Sequence, residues 1–208
     1  MTATPVVGFR LLLIGPPGAG KGTQASRLSE ILSVPAVSTG DIFRMNVANE
    51  TELGLQAKAF LDAGRYVPDE LTNAIVHDRL QEADVKTGFL LDGYPRTTEQ
   101  VDELDRILAA DGNSLDAVVQ LTADTDEVVT RLLKRSHEQG RSDDTEDVIR
   151  RRLALYEEQT APLIDVYARR GLVVVVDGLG PVEEVTDRIV VALEGHRVSR
   201  LVDDPSAA

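Results

Sequence analysis

Residues 11–23 read Leu-Leu-Leu-Ile-Gly-Pro-Pro-Gly-Ala-Gly-Lys-Gly-Thr, and this stretch decides the fold. The first four residues are apolar and suit a buried strand, and the glycines that follow suit a tight loop. Residues 24–32 then have the pattern expected of a helix. The order strand, glycine-rich loop, helix predicts the start of an α/β unit.

The loop has the composition of a P-loop, which holds phosphate groups. Gly18, Gly20 and Gly22 allow backbone N–H groups to turn inward, and a helix that starts near Lys21 points the positive end of its dipole at the same place. Lys21 adds a positive charge for the β- and γ-phosphates. The usual motif has Ser or Thr directly after the lysine, whereas this chain has Gly22 and then Thr23. We therefore predict a nucleotide site of a narrower class.

Short apolar runs recur along the chain and are separated by long amphipathic stretches. This pattern is typical of parallel strands buried on both faces, with helices crossing between them. It predicts an α/β fold of P-loop NTPase type, with a five-stranded parallel sheet flanked by helices. The predicted strands are residues 6–14, 35–38, 89–91, 117–121 and 172–176.

Two regions of the chain exceed what a simple crossover needs. Residues 41–83 contain two or three helical segments, which predicts a helical insertion at residues 38–67 that binds a nucleoside monophosphate. Between the fourth and fifth strands, helices at 125–135 and 145–169 flank a polar, glycine-containing stretch. We predict that this stretch is a short lid, residues 134–144.

The length of 208 residues suits one core, so we predict a single domain at residues 1–195 and a flexible tail at 196–208. The chain has 35 acidic and 22 basic side chains and a net charge of −13. This charge disfavours nucleic acids and anionic membranes as partners.

Cysteine is absent from the sequence. That absence removes disulfides and thiolate metal sites, and it fits a reducing compartment. Residues 1–9 lack a basic segment followed by a long apolar stretch, and the apolar runs are only strand-sized. We expect a cytoplasmic protein that does not contact a membrane.

Three further motifs follow predicted strands or helices. They are Ser-Thr-Gly-Asp-Ile-Phe-Arg at 38–44, Gly-Arg-Tyr-Val-Pro-Asp at 64–69 and Asp-Gly-Tyr-Pro-Arg-Thr-Thr-Glu-Gln at 92–100. With Gly-Lys-Gly-Thr in the loop, the chain resembles the nucleoside monophosphate kinases, specifically adenylate kinase, over residues 9–193. The resemblance implies a monomeric phosphotransferase with a phosphate group as acceptor. It would catalyse the reversible, Mg²⁺-dependent reaction of ATP and AMP to two ADP and maintain adenine nucleotide levels.

The resemblance also implies an AMP site. Arg44 and Arg96 would hold the AMP phosphate, because the planar guanidinium fork suits phosphate oxygens. Gln100 offers both a donor and an acceptor, as reading an adenine edge requires. The other residues implied for AMP are Thr39, Arg65, Tyr66, Val67, Gly93, Tyr94 and Pro95.

A basic segment stands out in this acidic chain. Arg131 and Arg135 are four residues apart, so on a helix they share one face and can converge on one anion. Arg150 and Arg151 adjoin Arg152 and face other directions, and a surface laced with salt bridges is an alternative role for those two. By the resemblance, the residues on the ATP side are Gly18, Ala19, Gly20, Lys21, Gly22, Thr23, Arg131, Arg135, Arg141, Arg152 and Gly180.

The catalytic residues implied by the same resemblance are Lys21, Arg96, Arg135, Arg141 and Arg152. Asp92 ends the third predicted strand, at the edge where α/β sheets bind ligands. The resemblance implies that Asp92 holds Mg²⁺ through water, and Thr23 is a further candidate. The lid is short and free of cysteine, so we expect no structural zinc.

Two alternatives stay open. A UMP/CMP kinase shares the loop and the arginines, although Thr39 with Gln100 favours AMP. A non-catalytic P-loop nucleotide switch usually carries Asn-Lys-x-Asp after a late strand, and residues 119–124 read Val-Gln-Leu-Thr-Ala-Asp instead.

Overall fold

A computed structural model describes residues 9–139 and 145–203. Helices and strands alternate through most of this part of the chain. In chain order they are β1 Arg10–Ile14, α1 Lys21–Leu32, β2 Ala36–Ser38, α2 Thr39–Ala48, α3 Glu52–Asp62, α4 Asp69–Leu80, β3 Phe89–Asp92, α5 Thr98–Ala110, β4 Ala117–Thr122, α6 Thr125–Gln139, α7 Glu146–Leu155, α8 Leu163–Arg169, β5 Val173–Asp177 and α9 Val182–Asp203.

The five strands form one parallel sheet in the order β2-β3-β1-β4-β5. The prediction of a five-stranded parallel α/β sheet is therefore confirmed. β1 lies between β3 and β4, and Leu13 is in register with Asp92. The glycine loop leaves the carboxyl end of β1, so it emerges beside Asp92 at the edge of the sheet where ligands bind.

The core lies on both faces of the sheet because successive strand residues point to opposite sides. Leu11 and Leu13 belong to a cluster under α1 and α9, whereas Leu12 and Ile14 belong to a cluster with residues of α4, α5 and α8. All four side chains are buried. A strand that is buried on both faces consists of consecutive apolar residues, which is why β1 could be recognised in the sequence.

The predicted insertion consists of α2, α3 and the segment that leads into α4. Each of the first two helices starts at a capping side chain, since Ser38 Oγ accepts from Asp41 N and Thr51 Oγ1 accepts from Gly54 N. α2 and α3 approach so closely that a Cβ at Gly54 would lie 2.1 Å from the carbonyl oxygen of Asn46. The insertion is held by a small apolar cluster of its own, built on Phe43, Ala57 and Val67.

α6 and α7 form an arm beside the glycine loop and are held together by Val128, Leu132 and Ile149. The predicted lid, 134–144, lies only partly in the structure, because residues 140–144 are outside the described residues. α7 continues into a π-helical turn at Tyr156–Thr160.

The carboxyl-terminal part differs from the prediction. α9 runs to Asp203, so residues 196–203 are helical, where the sequence predicted a flexible tail from 196. Gly195 costs a helix only about 1 kcal/mol, and an existing helix gains one hydrogen bond for each residue it adds. Residues 204–208 lie outside the described residues. Within 9–139 and 145–203, no helix has both the length and the apolar character needed to cross a membrane.

Candidate active site

The glycine loop has the backbone geometry of an anion site. Gly18 and Gly20 have φ angles of 86° and 91°, a region that suits glycine. α1 begins at Lys21 without a side-chain cap on its first N–H groups. The N–H groups of a helix start and its dipole both favour an anion at this place.

Lys21 lies at the centre of this loop. Its Nζ donates to the carbonyl oxygens of Gly15 (2.7 Å) and Pro16 (2.9 Å), which uses two of the three ammonium donors. Burial, together with the charges of nearby arginines, lowers the pKa of Lys21 to about 8 against the opposing effect of Asp92. Burial therefore disfavours the charged form of Lys21, and the negative charge of an incoming phosphate would stabilise it.

Asp92 faces the same space from the end of β3. Burial raises the pKa of its carboxyl group, against the opposing effect of Lys21 and Arg96. A Cβ at Gly22 would lie 3.6 Å from Asp92 Oδ2, so the carboxylate approaches the start of α1, where Thr23 also lines the cavity. A carboxylate and a hydroxyl beside a phosphate site are ligands that suit Mg²⁺. No group of three or more His, Cys, Asp or Glu side chains that could hold a metal occurs among the described residues.

On the other side of the cavity, Arg96 is fixed by its neighbours. Its Nε donates to Gly93 O (2.7 Å), and its guanidinium carbon lies 4.9 Å from the centre of the Tyr66 ring. Thr39 Oγ1 donates to the same Gly93 oxygen (2.9 Å). Arg44 pairs with Asp41 within α2. Two guanidinium groups thus border this half of the cavity.

Gln100 is buried, and both ends of its side-chain amide are hydrogen-bonded. Its Oε1 accepts from the backbone N–H of Arg96 (2.8 Å), and its Nε2 donates to Asp69 Oδ1 (2.6 Å). Asp69 Oδ2 accepts from Thr97 Oγ1 (2.7 Å). The amide therefore has one defined orientation.

On the glycine-loop side, two arginines bind the carbonyl groups of the segment after β5. Arg131 Nη1 donates to Gly178 O (3.2 Å) and its Nε to Glu127. Arg188 donates to Asp177 O and Leu179 O, so three successive carbonyl groups are held.

The three adjacent arginines of α7 separate as helix geometry requires. Arg150 pairs with Glu146 at the surface, as the alternative interpretation predicted. Arg151 Nη1 donates to Ala63 O (2.8 Å) in the insertion. Arg152 lines the cavity and contributes to the lowered pKa of Lys21.

These groups surround one cavity of about 630 Å³. Most of the residues singled out from the sequence line it, and Arg141 lies outside the described residues. Tyr94 does not line the cavity, because its ring packs in the core and is only 1% exposed. Its hydroxyl group donates to Asn73 Oδ1 (2.8 Å). The predicted residues that line the cavity are Gly18, Ala19, Gly20, Lys21, Gly22, Thr23, Thr39, Arg44, Arg65, Tyr66, Val67, Asp92, Gly93, Pro95, Arg96, Gln100, Arg131, Arg135, Arg152 and Gly180.

Sequence reasoning missed several residues of the site. Tyr156 and Thr160 line the cavity from the π-helical turn, and Thr160 Oγ1 donates to Arg96 O (3.0 Å). Burial raises the pKa of Tyr156 to about 12, so its phenol stays protonated. Asp69 and Arg188 do not line the cavity but hydrogen-bond to residues that line it or adjoin its lining residues. A π-turn has no simple sequence signal, although such turns are frequent at functional sites.

A P-loop at the centre of a parallel sheet, facing a second group of arginines across one cavity, defines the class of nucleotide kinases. Comparison with known proteins agrees, since the adenylate kinase family model matches residues 13–172.

Three relatives, all named adenylate kinase, illustrate the similarity. The protein of Kocuria rhizophila is 65% identical over 185 residues, which cover 89% of this chain and 98% of its own length. That of Pseudarthrobacter chlorophenolicus is 61% identical over 190 residues (91% and 99%), and that of Thermobifida fusca is 55% identical over 188 residues (90% and 100%). The chain belongs to the adenylate kinase family. Neither a UMP/CMP kinase nor a nucleotide switch gains support from these comparisons.

Proposed function

We propose that this cavity binds ATP and AMP together with their phosphates end to end. Members of the adenylate kinase family transfer the terminal phosphoryl group of ATP reversibly to AMP, and that is the activity of this chain. The observation that carries the proposed arrangement is the gathering of Lys21 and six arginines around one cavity in a protein of net charge −13. The six are Arg44, Arg65, Arg96, Arg131, Arg135 and Arg152.

ATP occupies the half that contains the glycine loop. The N–H groups of Gly18 to Thr23 hold its phosphates, and Lys21 lies between the β- and γ-phosphates. Arg131 and Arg135 add positive charge on this side, and the family resemblance assigns the same role to Arg141, which lies outside the described residues. The backbone near Gly180 borders the adenine, and its position is supported by the arginine contacts to residues 177–179.

AMP occupies the half formed by the insertion and α5. Arg44 and Arg96 hold its phosphate, and Gln100 reads its adenine edge. Arg44 leaves its exposed pair with Asp41 at little cost, because exposed ion pairs contribute only about 0–1 kcal/mol. The rest of the base and ribose site consists of Thr39, Gly93, Pro95 and the segment Arg65, Tyr66 and Val67.

Transfer forms a bond from an AMP phosphate oxygen to the γ-phosphorus and breaks the bond from that phosphorus to the β–γ bridging oxygen. The attacking oxygen is already ionised at neutral pH, so no general base is needed. Negative charge spreads over the oxygens of the transferring phosphoryl group and develops on the bridging oxygen, which leaves as part of ADP. Lys21, Arg96 and Arg152 line the cavity and stabilise this charge. Mg²⁺ supplies further neutralisation of the phosphates when bound, with Asp92 as its carboxylate, through water, and Thr23 as a candidate hydroxyl.

The insertion and the α6–α7 arm exclude water during transfer. Exclusion matters because water would otherwise take the phosphoryl group and make the enzyme an ATPase. Contacts between the two parts support this proposal: Arg151 donates to Ala63 O, and a Cβ at Gly64 would lie 2.9 Å from a methyl carbon of Val148. We further propose that the protein is a cytoplasmic monomer without structural zinc, and that its partners are ATP, AMP and ADP rather than nucleic acids or membranes.

Steady-state kinetics of ADP formation from ATP, AMP and Mg²⁺ test the arrangement. We expect Arg44→Gln to raise the KM for AMP and leave the KM for ATP nearly unchanged, and Arg131→Gln to do the reverse. Arg106→Gln is the matched control, since Arg106 is an exposed arginine paired with Glu103 away from the cavity. Equal effects of the first two variants on both substrates would contradict the division of the cavity. Replacing AMP with CMP or UMP should reduce the rate strongly.

A further inference from the structure

The amide of Gln100 has a fixed polarity because it is bonded on both sides by groups that cannot exchange roles. The backbone N–H of Arg96 can only donate, so it requires the amide oxygen. The carboxylate oxygen of Asp69 accepts from the amide, so it requires the amide nitrogen. Neither neighbour tolerates the flipped amide.

The amide then has one N–H donor and one oxygen lone pair left for a ligand in the cavity. Adenine presents an acceptor at N1 and an amino donor at N6, which match this pair. Hypoxanthine has nearly the same size and shape but presents a donor at N1 and an acceptor at O6. It would match only the flipped amide.

We propose that Asp69 is a positioning residue that sets the selectivity for adenine over 6-oxopurines by holding Gln100 in one orientation. The inference rests on the proposed role of Gln100 at the AMP base. Asp69 does not line the cavity, so its effect on the base passes through Gln100.

Asp69 is well placed for this role. It is the first residue of α4 and lies two positions after Val67, the last residue of the segment 64–67 that lines the base side of the cavity. Its second oxygen accepts from Thr97 Oγ1, and that hydroxyl caps α5 by accepting from Gln100 N (3.2 Å). The carboxylate thus joins the two walls of the base site, and both of its oxygens are fixed.

The Asp69→Asn variant tests the proposal with almost no change of shape. An asparagine amide can donate or accept, so it tolerates either orientation of Gln100. We expect the ratio of kcat/KM for AMP to that for inosine monophosphate to fall about tenfold, the value of one hydrogen bond to a charged group. It should not reverse, because the Arg96 N–H still favours the original orientation. The KM for ATP should stay unchanged.

Glu70→Gln is the matched control. Glu70 is the next residue of the same helix turn, is exposed, and loses the same charge in the variant. It should keep the original ratio. Thermal unfolding of both variants separates a change of selectivity from a change of stability.

Gln100→Ala distinguishes this inference from the assignment on which it rests. We expect Gln100→Ala to lower the AMP preference, and Asp69→Asn to have no further effect on the ratio in that background. If Gln100→Ala lowers the ratio and Asp69→Asn alone does not, the positioning role is wrong and the AMP site stands. If Gln100→Ala leaves the ratio unchanged, the base assignment fails and the positioning role fails with it.

Discussion

The two halves of the cavity are built differently. The glycine-loop half is formed by backbone at the end of a central strand and is supported by the main core, in which Leu11 and Leu13 are almost fully buried. The acceptor half combines the segment after β3 and α5, which pack on the main core, with the helices α2 and α3, which pack on a small cluster around Phe43. The first half is thus set by local sequence on a rigid support, and the second depends on tertiary contacts between distant segments.

The largest expected effect comes from the rigid half. Lys21→Met removes the cation at the centre of the loop, and the loss of one such charge-stabilising donor typically lowers kcat about 10²–10³-fold. Lys58→Met is the control, because Lys58 is exposed and pairs with Asp62. If the rate of ADP formation fell by less than about tenfold, the backbone N–H groups of the loop would be sufficient to stabilise the phosphates in this half.

The acceptor half should be the easier one to disturb through packing. In Gly54→Ala, the added methyl group meets the Asn46 carbonyl, so α2 and α3 must separate. We expect the unfolding free energy to fall by about 1–3 kcal/mol. The KM for AMP should rise about tenfold, the effect of losing one good contact to a charged group, while ATP binding is retained.

Gly195→Ala provides the comparison for that variant. Gly195 lies in α9 with open space around its Cβ, so alanine there should stabilise the helix by about 1 kcal/mol. Calorimetry and titration with each nucleotide measure both effects. Parallel loss of ATP and AMP binding in Gly54→Ala would argue against independent halves.

The pH dependence should also differ between the halves. Lys21 has a pKa of about 8, so it loses its charge as the pH rises through 8, and the KM for ATP should rise by at most tenfold per pH unit above that value. The contribution of Lys21 to the free energy of unfolding, in contrast, becomes more favourable as the pH rises. The folded state binds fewer protons than the unfolded chain between pH 8 and 10.5, so this group favours folding increasingly over that range. The KM for AMP should change less, and Lys21→Met should abolish the ATP trend.

The smallest effect is expected at Arg188. Arg188→Ala releases the carbonyl groups of Asp177 and Leu179, which loosens the segment beside the proposed ATP adenine site. Two partly exposed hydrogen bonds are worth about 1 kcal/mol together, so the KM for ATP should rise about fivefold. Arg27→Ala is a suitable control, since Arg27 pairs with Glu183 at the surface. No change in the KM for ATP would mean that Arg131 alone holds the segment.

The sequence was most informative where a feature depends on near neighbours. The strands were recognisable as apolar runs. The glycine loop was recognisable because its glycines are close together in the sequence and suit the backbone conformation of the loop. Tyr94 illustrates the limit of local sequence: its motif lies at the site, but its ring packs in the core and its hydroxyl group donates to Asn73 Oδ1.

Contacts between distant segments could not be predicted. Asp69 meets Gln100 across 31 positions, and Arg188 reaches back 11 residues to Asp177. Neither pair has a characteristic spacing, and each exists only because the sheet and its helices bring the segments together. The helical residues 196–203 were missed because glycine and polar residues lower helix propensity without preventing helix growth.

The small cluster of Phe43, Ala57 and Val67 has a consequence for how the molecule opens. A cooperative unit with so little buried apolar surface has a lower opening free energy than the sheet. Amides of α2 and α3 should therefore exchange with solvent through partial unfolding events in which β1 and α1 remain protected. Mild denaturant would then separate two transitions, with the acceptor helices melting ahead of the nucleotide-binding sheet.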